Sequence, residues 1–242
     1  MNRRELSPWL LPLLLLFFGS WIFDYLQVDL LVADALYTLQ GSHWRLKQSW
    51  LLEDIVHQGG RILVAVLISG SLGALVSTWF SQRMRAHRQG LAFLCSTVIL
   101  ALLLVSTLKG LTHIDCPWSF QRYGGERAYE PIFQKIFGSG NGRCFPSGHA
   151  SGGYAWIALY FYCLLYKPRW RYVGLAFGLL LGLTFGLAQQ LRGAHFVSHD
   201  IWTLTICWYT GLLGYVLQRR LIARLEAGAP AEIASASLPE RA

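Results

Sequence analysis

Long apolar runs, broken by short polar stretches, dominate this chain. Six runs reach the roughly 17–25 residues that a helix needs to cross a bilayer: Trp9–Leu26, Ile62–Phe80, Leu91–Leu108, Ala150–Tyr166, Tyr172–Ala188 and Ile201–Leu217. The predicted fold is therefore all-α, a polytopic membrane protein with six transmembrane helices and an outward-facing loop region. Residues 1–226 are read as one membrane domain. Beyond Glu226 the residues turn small and polar, and 227–242 are expected to form a disordered cytoplasmic tail. The first run is predicted to be a retained helix rather than a signal peptide. Gly19-Ser20 is followed by Trp21, Phe23 and Tyr25, which leaves no small-residue cleavage site. Between Asp24 and Gly60, apolar patches (Leu30, Leu31, Val32; Leu36, Tyr37) alternate with acids and predict short interfacial helices. The sequence contains no internal repeat and no nucleotide-binding glycine motif.

Composition agrees with a membrane solvent. The 242 residues are 54% hydrophobic and 14% charged, against about 25% charged in soluble domains. Ten Trp, 11 Tyr and 13 Phe supply residues for aromatic belts at helix ends. A net charge of +8 would by itself fit nucleic acid, but the basic residues are distributed as in a membrane protein. Arg3, Arg4, Arg83, Arg85, Arg88, Lys167, Arg169, Arg171, Arg219, Arg220, Arg224 and Arg241 fall on one side, 12 residues in mostly short loops. The remaining nine are spread over the longer loops of the other side. The positive-inside rule then puts both termini in the cytoplasm. Residues 27–60, 109–149 and 189–200 face outward, toward the periplasm if the bilayer is an inner membrane. The bilayer is the expected partner, and nucleic acid is not.

The outward segments hold most of the chemistry-bearing residues. One runs Lys109-Gly-Leu-Thr-His-Ile-Asp-Cys-Pro-Trp118, a second Arg143-Cys-Phe-Pro-Ser-Gly-His149, and a third Gln189-Gln-Leu-Arg-Gly-Ala-His-Phe-Val-Ser-His-Asp200. A single basic residue at a helix end is usually a snorkelling side chain, and Pro146-Ser147-Gly148-His149 alone can be a helix-start turn in which Ser147 caps. Three such clusters on one face point to a shared anion site. Phosphoryl transfer needs cations and N–H donors around the phosphate, a nucleophile in line with the leaving group, and an acid to protonate it. Lys109 and Arg192 can supply charge, and Ser147 and Gly148 can supply donors. His149 and His195 can act as acid and nucleophile, and Asp200 or His199 can orient one imidazole.

These residues resemble the type 2 phosphatidic acid phosphatase superfamily of integral-membrane lipid phosphatases. Its signature is Lys-x6-Arg-Pro, Pro-Ser-Gly-His, and Ser-Arg-x5-His-x3-Asp. Here Lys109 is followed after six residues by Cys116-Pro117, and the second motif is complete at Pro146–His149. The resemblance extends to the helix layout over about residues 9–220. It implies that His195 attacks phosphorus through a phosphohistidine intermediate and that His149 protonates the leaving oxygen. It also implies that Lys109, Ser147 and Gly148 hold the phosphate, with no metal and no cofactor.

The departures are specific. Cys116 stands where the first motif has arginine. Aligning the third motif on His195 puts Gln189 at its arginine and His199 at its aspartate, with Asp200 one step later. Arg192 then replaces the lost cation from the next turn. Aligning on Arg192 instead puts Ser198, which cannot form a phosphohistidine, at the nucleophile position. His195 is therefore the preferred nucleophile, with His199 and Asp200 both open as orienters.

Cys95, Cys163 and Cys207 fall within spans and read as buried thiols. Cys116 and Cys144 share an outward loop, where an oxidising compartment permits a disulfide, and they are expected to form one. A zinc set of His113, Asp115, Cys116 and Cys144 matches no common spacing. His57, Gln58, Gly59, Gly60 and Arg61 open the second span on the active face, either as an interfacial turn or as headgroup contacts. Trp118, Tyr123, Gly124 and Gly125 are expected to shape a lid or lipid entrance. The expected function is hydrolysis of a membrane lipid phosphate or diphosphate at the outer face of an inner membrane. Undecaprenyl pyrophosphate, phosphatidylglycerol phosphate, phosphatidic acid and lipid A phosphates are candidate substrates. One alternative passes the phosphate to another lipid such as lipid A. Another is a non-enzymatic membrane protein with a decayed site. No sequence feature sets an oligomeric state.

Overall fold

A computed structural model describes residues 25–129 and 142–227, with isolated helical positions between residues 10 and 23. The first expected span, Trp9–Leu26, falls largely outside the described residues, as does the tail from residue 228. The regular elements among the described residues are all helices, without strands, apart from an isolated bridge between Phe120 and Arg127.

Helix α1 spans Val28–Leu39, within the stretch expected to form interfacial helices. A 3-10 turn at Arg45–Gln48 and a π-helical segment at Leu51–Gly59 lead into α2, Gly60–Phe80. The helical run from Leu51 starts earlier than the apolar pattern predicts. Glu53, Asp54, His57 and Gln58 interrupt the hydropathy without interrupting the backbone. Helix α3 spans Arg88–Leu111. Its start is tied back to the end of α2 by Arg88, which donates from Nη2 to the Thr78 carbonyl at 2.7 Å and from Nε to Thr78 Oγ1 at 3.1 Å.

The expected fourth span is not one helix. Helix α4, Gly148–Tyr154, passes through a 3-10 turn at Ala155–Ile157 into α5, Ala158–Tyr166. The change follows Gly152-Gly153, the weakest helix formers in the run. Helix α6 spans Arg171–Leu191, and α7 spans the 31 residues Val197–Ala227, so Ala227 ends a helix rather than opening the tail.

Among the described residues, three helical runs are long and apolar enough to cross a membrane: Leu51–Phe80, Arg88–Leu111 and Pro168–Leu191. They expose large apolar side chains such as Val66, Leu103 and Leu180, as helices facing hydrocarbon do. Helix α7 has the length, but Trp202, Thr203, Thr205, Trp208, Tyr209 and Thr210 dilute its apolar character.

The main core gathers Phe93, Val98, Ala101 and Val105 of α3, Tyr154, Trp156, Ile157 and Phe161 of the α4–α5 run, and Cys207 and Leu212 of α7. Helix α6 packs against it through a line of glycines at four-residue spacing: Gly174, Gly178, Gly182 and Gly186. A Cβ on Gly178 would stand 2.5 Å from the Ile157 nitrogen, and one on Gly186 would stand 2.5 Å from Asp200 Oδ2. Small residues at such spacing let helix backbones approach closely, as at membrane helix interfaces. That approach places the end of α6 beside the starts of α4 and α7, where the polar motifs lie. A second, smaller cluster of Leu30, Ala33, Phe120, Tyr123 and Phe196, with Tyr37 and Trp44 against it, packs α1 onto the loop region.

Candidate active site

Backbone bonds join the three polar segments. Cys144 N–H donates to the Ile114 carbonyl at 2.9 Å, and the Thr112 hydroxyl donates to the Phe145 carbonyl, so the first and second segments run side by side. Trp118 N–H donates to the Gly193 carbonyl at 3.0 Å and connects the first segment to the third. Ser147 N–H donates to the His199 carbonyl at 3.3 Å, and Thr203 Oγ1 bridges the Ser147 and His199 carbonyls at 3.1 and 2.9 Å. Cys116 and Cys144 form a disulfide with a Cα separation of 5.2 Å, inside the usual range for such a bridge. The disulfide takes two members out of the zinc set weighed above. Among the described residues no three His, Cys, Asp or Glu side chains are grouped for a metal.

The three segments enclose a cavity of about 420 Å³. Its wall includes Lys109, Cys116, Cys144, Gly148, His149, Arg192 and His195. Lys109 reaches the start of α4, where a Cβ on Gly148 would stand 3.2 Å from Nζ. His195 and His149 thus face one space together with two cations. Burial holds the His195 imidazole well below its usual value, with the neighbouring His199 adding to the effect. Burial, then the charge of His57, lowers His149 to about 4.

Three expected site residues stand behind this wall. Ser147 is 0% exposed; it precedes α4 without a side-chain capping bond, and its hydroxyl lies beside Asp200 instead. Asp200 accepts from Gln190 Nε2 at 2.5 Å and packs against Gly186. His199 is also 0% exposed, and its Nδ1 lies 3.3 Å from His195 Nδ1. Of the two candidate orienters, His199 is the one hydrogen-bonded to His195. Ser198, the nucleophile of the alternative alignment, is turned away. Its N–H donates to Asp29 Oδ1 at 2.9 Å, and its hydroxyl donates to the other oxygen of the same carboxylate.

The outer wall contains residues that the motifs do not mark. Arg192 forms an ion pair with Glu53, donates from Nε to the Lys47 carbonyl at 3.0 Å and from Nη1 to Gln189 Oε1 at 3.2 Å. Gln189, the residue at the motif's arginine position, therefore helps hold the arginine that stands three residues later. His57 Nδ1 lies 3.2 Å from Glu53 Oε1, and the His57 ring centroid is 4.6 Å from that of His149. Arg61 and Trp118 complete this side, with Lys47 over the Trp118 ring at 4.3 Å. Tyr123 is instead a buried anchor whose hydroxyl donates to Asp34 Oδ1 at 3.0 Å, beside the Asp34–Arg122 ion pair. Gly193 adopts φ +71°, and a side chain there would run into the Trp44 ring. Glu53, His57 and Arg61 repeat every four residues, which is a legible helical face. The partner of Glu53 is Arg192, far away in the chain, and nothing local signals that pairing.

An all-helical chain with membrane-length apolar helices, bearing a cationic cavity with two imidazoles at one end, defines a class of membrane-associated phosphate enzymes. Residues 90–223 match the model of the PAP2 superfamily, and the chain belongs to that superfamily. Its members are phosphatases, which makes this chain a phosphatase-type hydrolase. No curated protein and no solved structure matches the chain significantly.

Proposed function

We propose that this protein is an integral-membrane phosphatase that hydrolyses a lipid phosphate or diphosphate through a phosphohistidine on His195. The observation that carries the reading is the placement of His195, His149, Lys109 and Arg192 around one cavity. Nδ1 of His195 is engaged by His199, so Nε2 is the nitrogen left to attack phosphorus. For that attack His195 must carry its proton on Nδ1 and donate it to His199, which takes the orienting role in place of a carboxylate. The new N–P bond forms as the P–O bond to the lipid breaks, and His149 gives its proton to the departing oxygen. Water then attacks phosphorus, His149 takes a proton from it, and inorganic phosphate leaves. A phosphate dianion beside His149 favours the imidazolium and raises its pKa toward the working range. Lys109 and Arg192 stabilise the equatorial oxygens, and the protein itself supplies the charges that a metal would supply elsewhere.

Six membrane helices, cytoplasmic termini and a periplasmic site complete this reading. The loop charges support it, as do three described helices of membrane length. The test is phosphate release by purified full-length protein against a panel of lipid phosphates, with and without a lipid acceptor. Release is expected without the acceptor and in EDTA, and His195→Gln should reduce it at least about 1000-fold. Retention of activity in His195→Gln, or loss in EDTA restored by a divalent metal, overturns the mechanism. Phosphate appearing only on the lipid acceptor would make the protein a transferase.

A further inference from the structure

The cavity continues past His149 into a second space of about 280 Å³, lined by Val64, Ala65 and Ile68 of α2, Leu102 of α3, Gly152 of α4 and Phe185 of α6. Arg61, Gly148 and His149 line both spaces. The chemistry therefore changes from one space to the next. Lys109, Arg192, His195 and His57 line the first space alone, His149 and Arg61 line the junction, and hydrocarbon lines most of the second.

A lipid bound for attack by His195 threads these spaces with its reacting phosphate first and its chain last. The group that connects them must pass His57 and Arg61. A lipid monophosphate has only a bridging ester oxygen there, which offers Arg61 no second anionic group at the mouth of the apolar cleft. Arg61 is exposed and, among the described residues, donates one long bond, 3.4 Å from Nη1 to Gln58 Oε1. Its remaining donors can take a second anionic group. Glu53 is the acid that faces this corner, and its charge is taken up by Arg192 and His57, with Gln58 Nε2 donating to it at 3.3 Å.

Building on the phosphatase reading, we propose that His57 and Arg61 form a second phosphate subsite and that the substrate class is a lipid diphosphate. The terminal phosphorus is attacked by His195. The bond broken is the one from that phosphorus to the oxygen it shares with the inner phosphate. The leaving group is the lipid monophosphate, which departs with the electron pair, takes its proton from His149 and remains paired with Arg61. Water then releases the terminal group as inorganic phosphate. Arg61 would hold the inner phosphate through charge-assisted hydrogen bonds, the strong kind. The subsite comes from a segment outside residues 90–223, the stretch that carries the superfamily match.

The test compares a prenyl diphosphate with the matching prenyl monophosphate, using full-length protein in the same detergent. Wild type should favour the diphosphate. Arg61→Gln should lower kcat/KM on the diphosphate about 10- to 100-fold and on the monophosphate no more than about threefold. Arg61→Lys should restore part of the loss, and His57→Gln should show the same selectivity with a smaller amplitude. The monophosphate arm also reports whether each variant is folded. Equal losses on both substrates, or a wild-type preference for the monophosphate, overturn the subsite while leaving the phosphatase reading in place. Release from neither substrate, across the wider lipid panel as well, overturns both.

Discussion

Along the inner wall of the cavity, Lys109, Cys144, His149 and His195 sit on segments sewn together by backbone hydrogen bonds and a disulfide. Along the outer wall, His57 and Arg61 stand on one amphipathic turn, and side chains do the holding: Glu53 on Arg192 and His57, Lys47 over Trp118. The difference follows what each wall must do. Bond-making groups misplaced by about 1 Å can lose on the order of a hundredfold in rate, so the inner wall is built from buried backbone. Groups that recognise a leaving group tolerate more freedom. Around Arg61, an exposed polar contact of the kind worth about 0–1 kcal/mol suffices.

The contrast breaks most sharply at His199. His199→Gln should lower kcat about 100-fold with little change in KM, because the substrate does not touch it and only the tautomer of His195 is lost. Asp200→Asn should cost far less, since that carboxylate faces Gln190 and Gly186. Steady-state kinetics of the two variants decide the point, and a larger loss in Asp200→Asn would return the orienting role to the aspartate.

Next in size is the bridge between Cys116 and Cys144. The Cys116→Ser/Cys144→Ser double variant should lose roughly tenfold in kcat/KM. It should also unfold at lower temperature, since closing a 28-residue separation stabilises by about 3–4 kcal/mol in the chain-entropy model. Thermal unfolding in detergent, with and without reductant on the wild type, measures both. Free thiols at both positions in protein taken from its native compartment would remove the bridge from the account.

The smallest effect belongs to the outer wall. Glu53→Gln frees one side of Arg192, which the Lys47 carbonyl and Gln189 still hold. It should raise KM about three- to fivefold with kcat nearly unchanged. A collapse of kcat in this variant would show that the outer wall positions the chemistry too, and the contrast would fail.

Patterns confined to one continuous stretch were legible in the chain. The runs Ile62–Phe80, Leu91–Leu108 and Tyr172–Ala188 fall in helices of membrane length because each run carries its own period and length. Pro146–His149, Lys109 and the 189–200 segment pointed to a candidate phosphate site because their residue types are rare together. Other features required the fold. His199 and Asp200 are adjacent in sequence, but one step along a helix of 3.6 residues per turn rotates a side chain by about 100°. Both cannot face His195, and only the packing of α7 against Ser147 and the α6 glycines selects His199. Ser147 looked like a helix cap and a phosphate donor, yet it makes no side-chain cap bond and its hydroxyl lies beside Asp200. Glu53 and Arg192 lie 139 positions apart, and no local pattern can pair them. Sequence determined which chemistry the chain carries, since residue identity fixes what can donate, accept or attack. Tertiary packing decided which groups meet, since a helix face acquires a direction only from the neighbour it buries against.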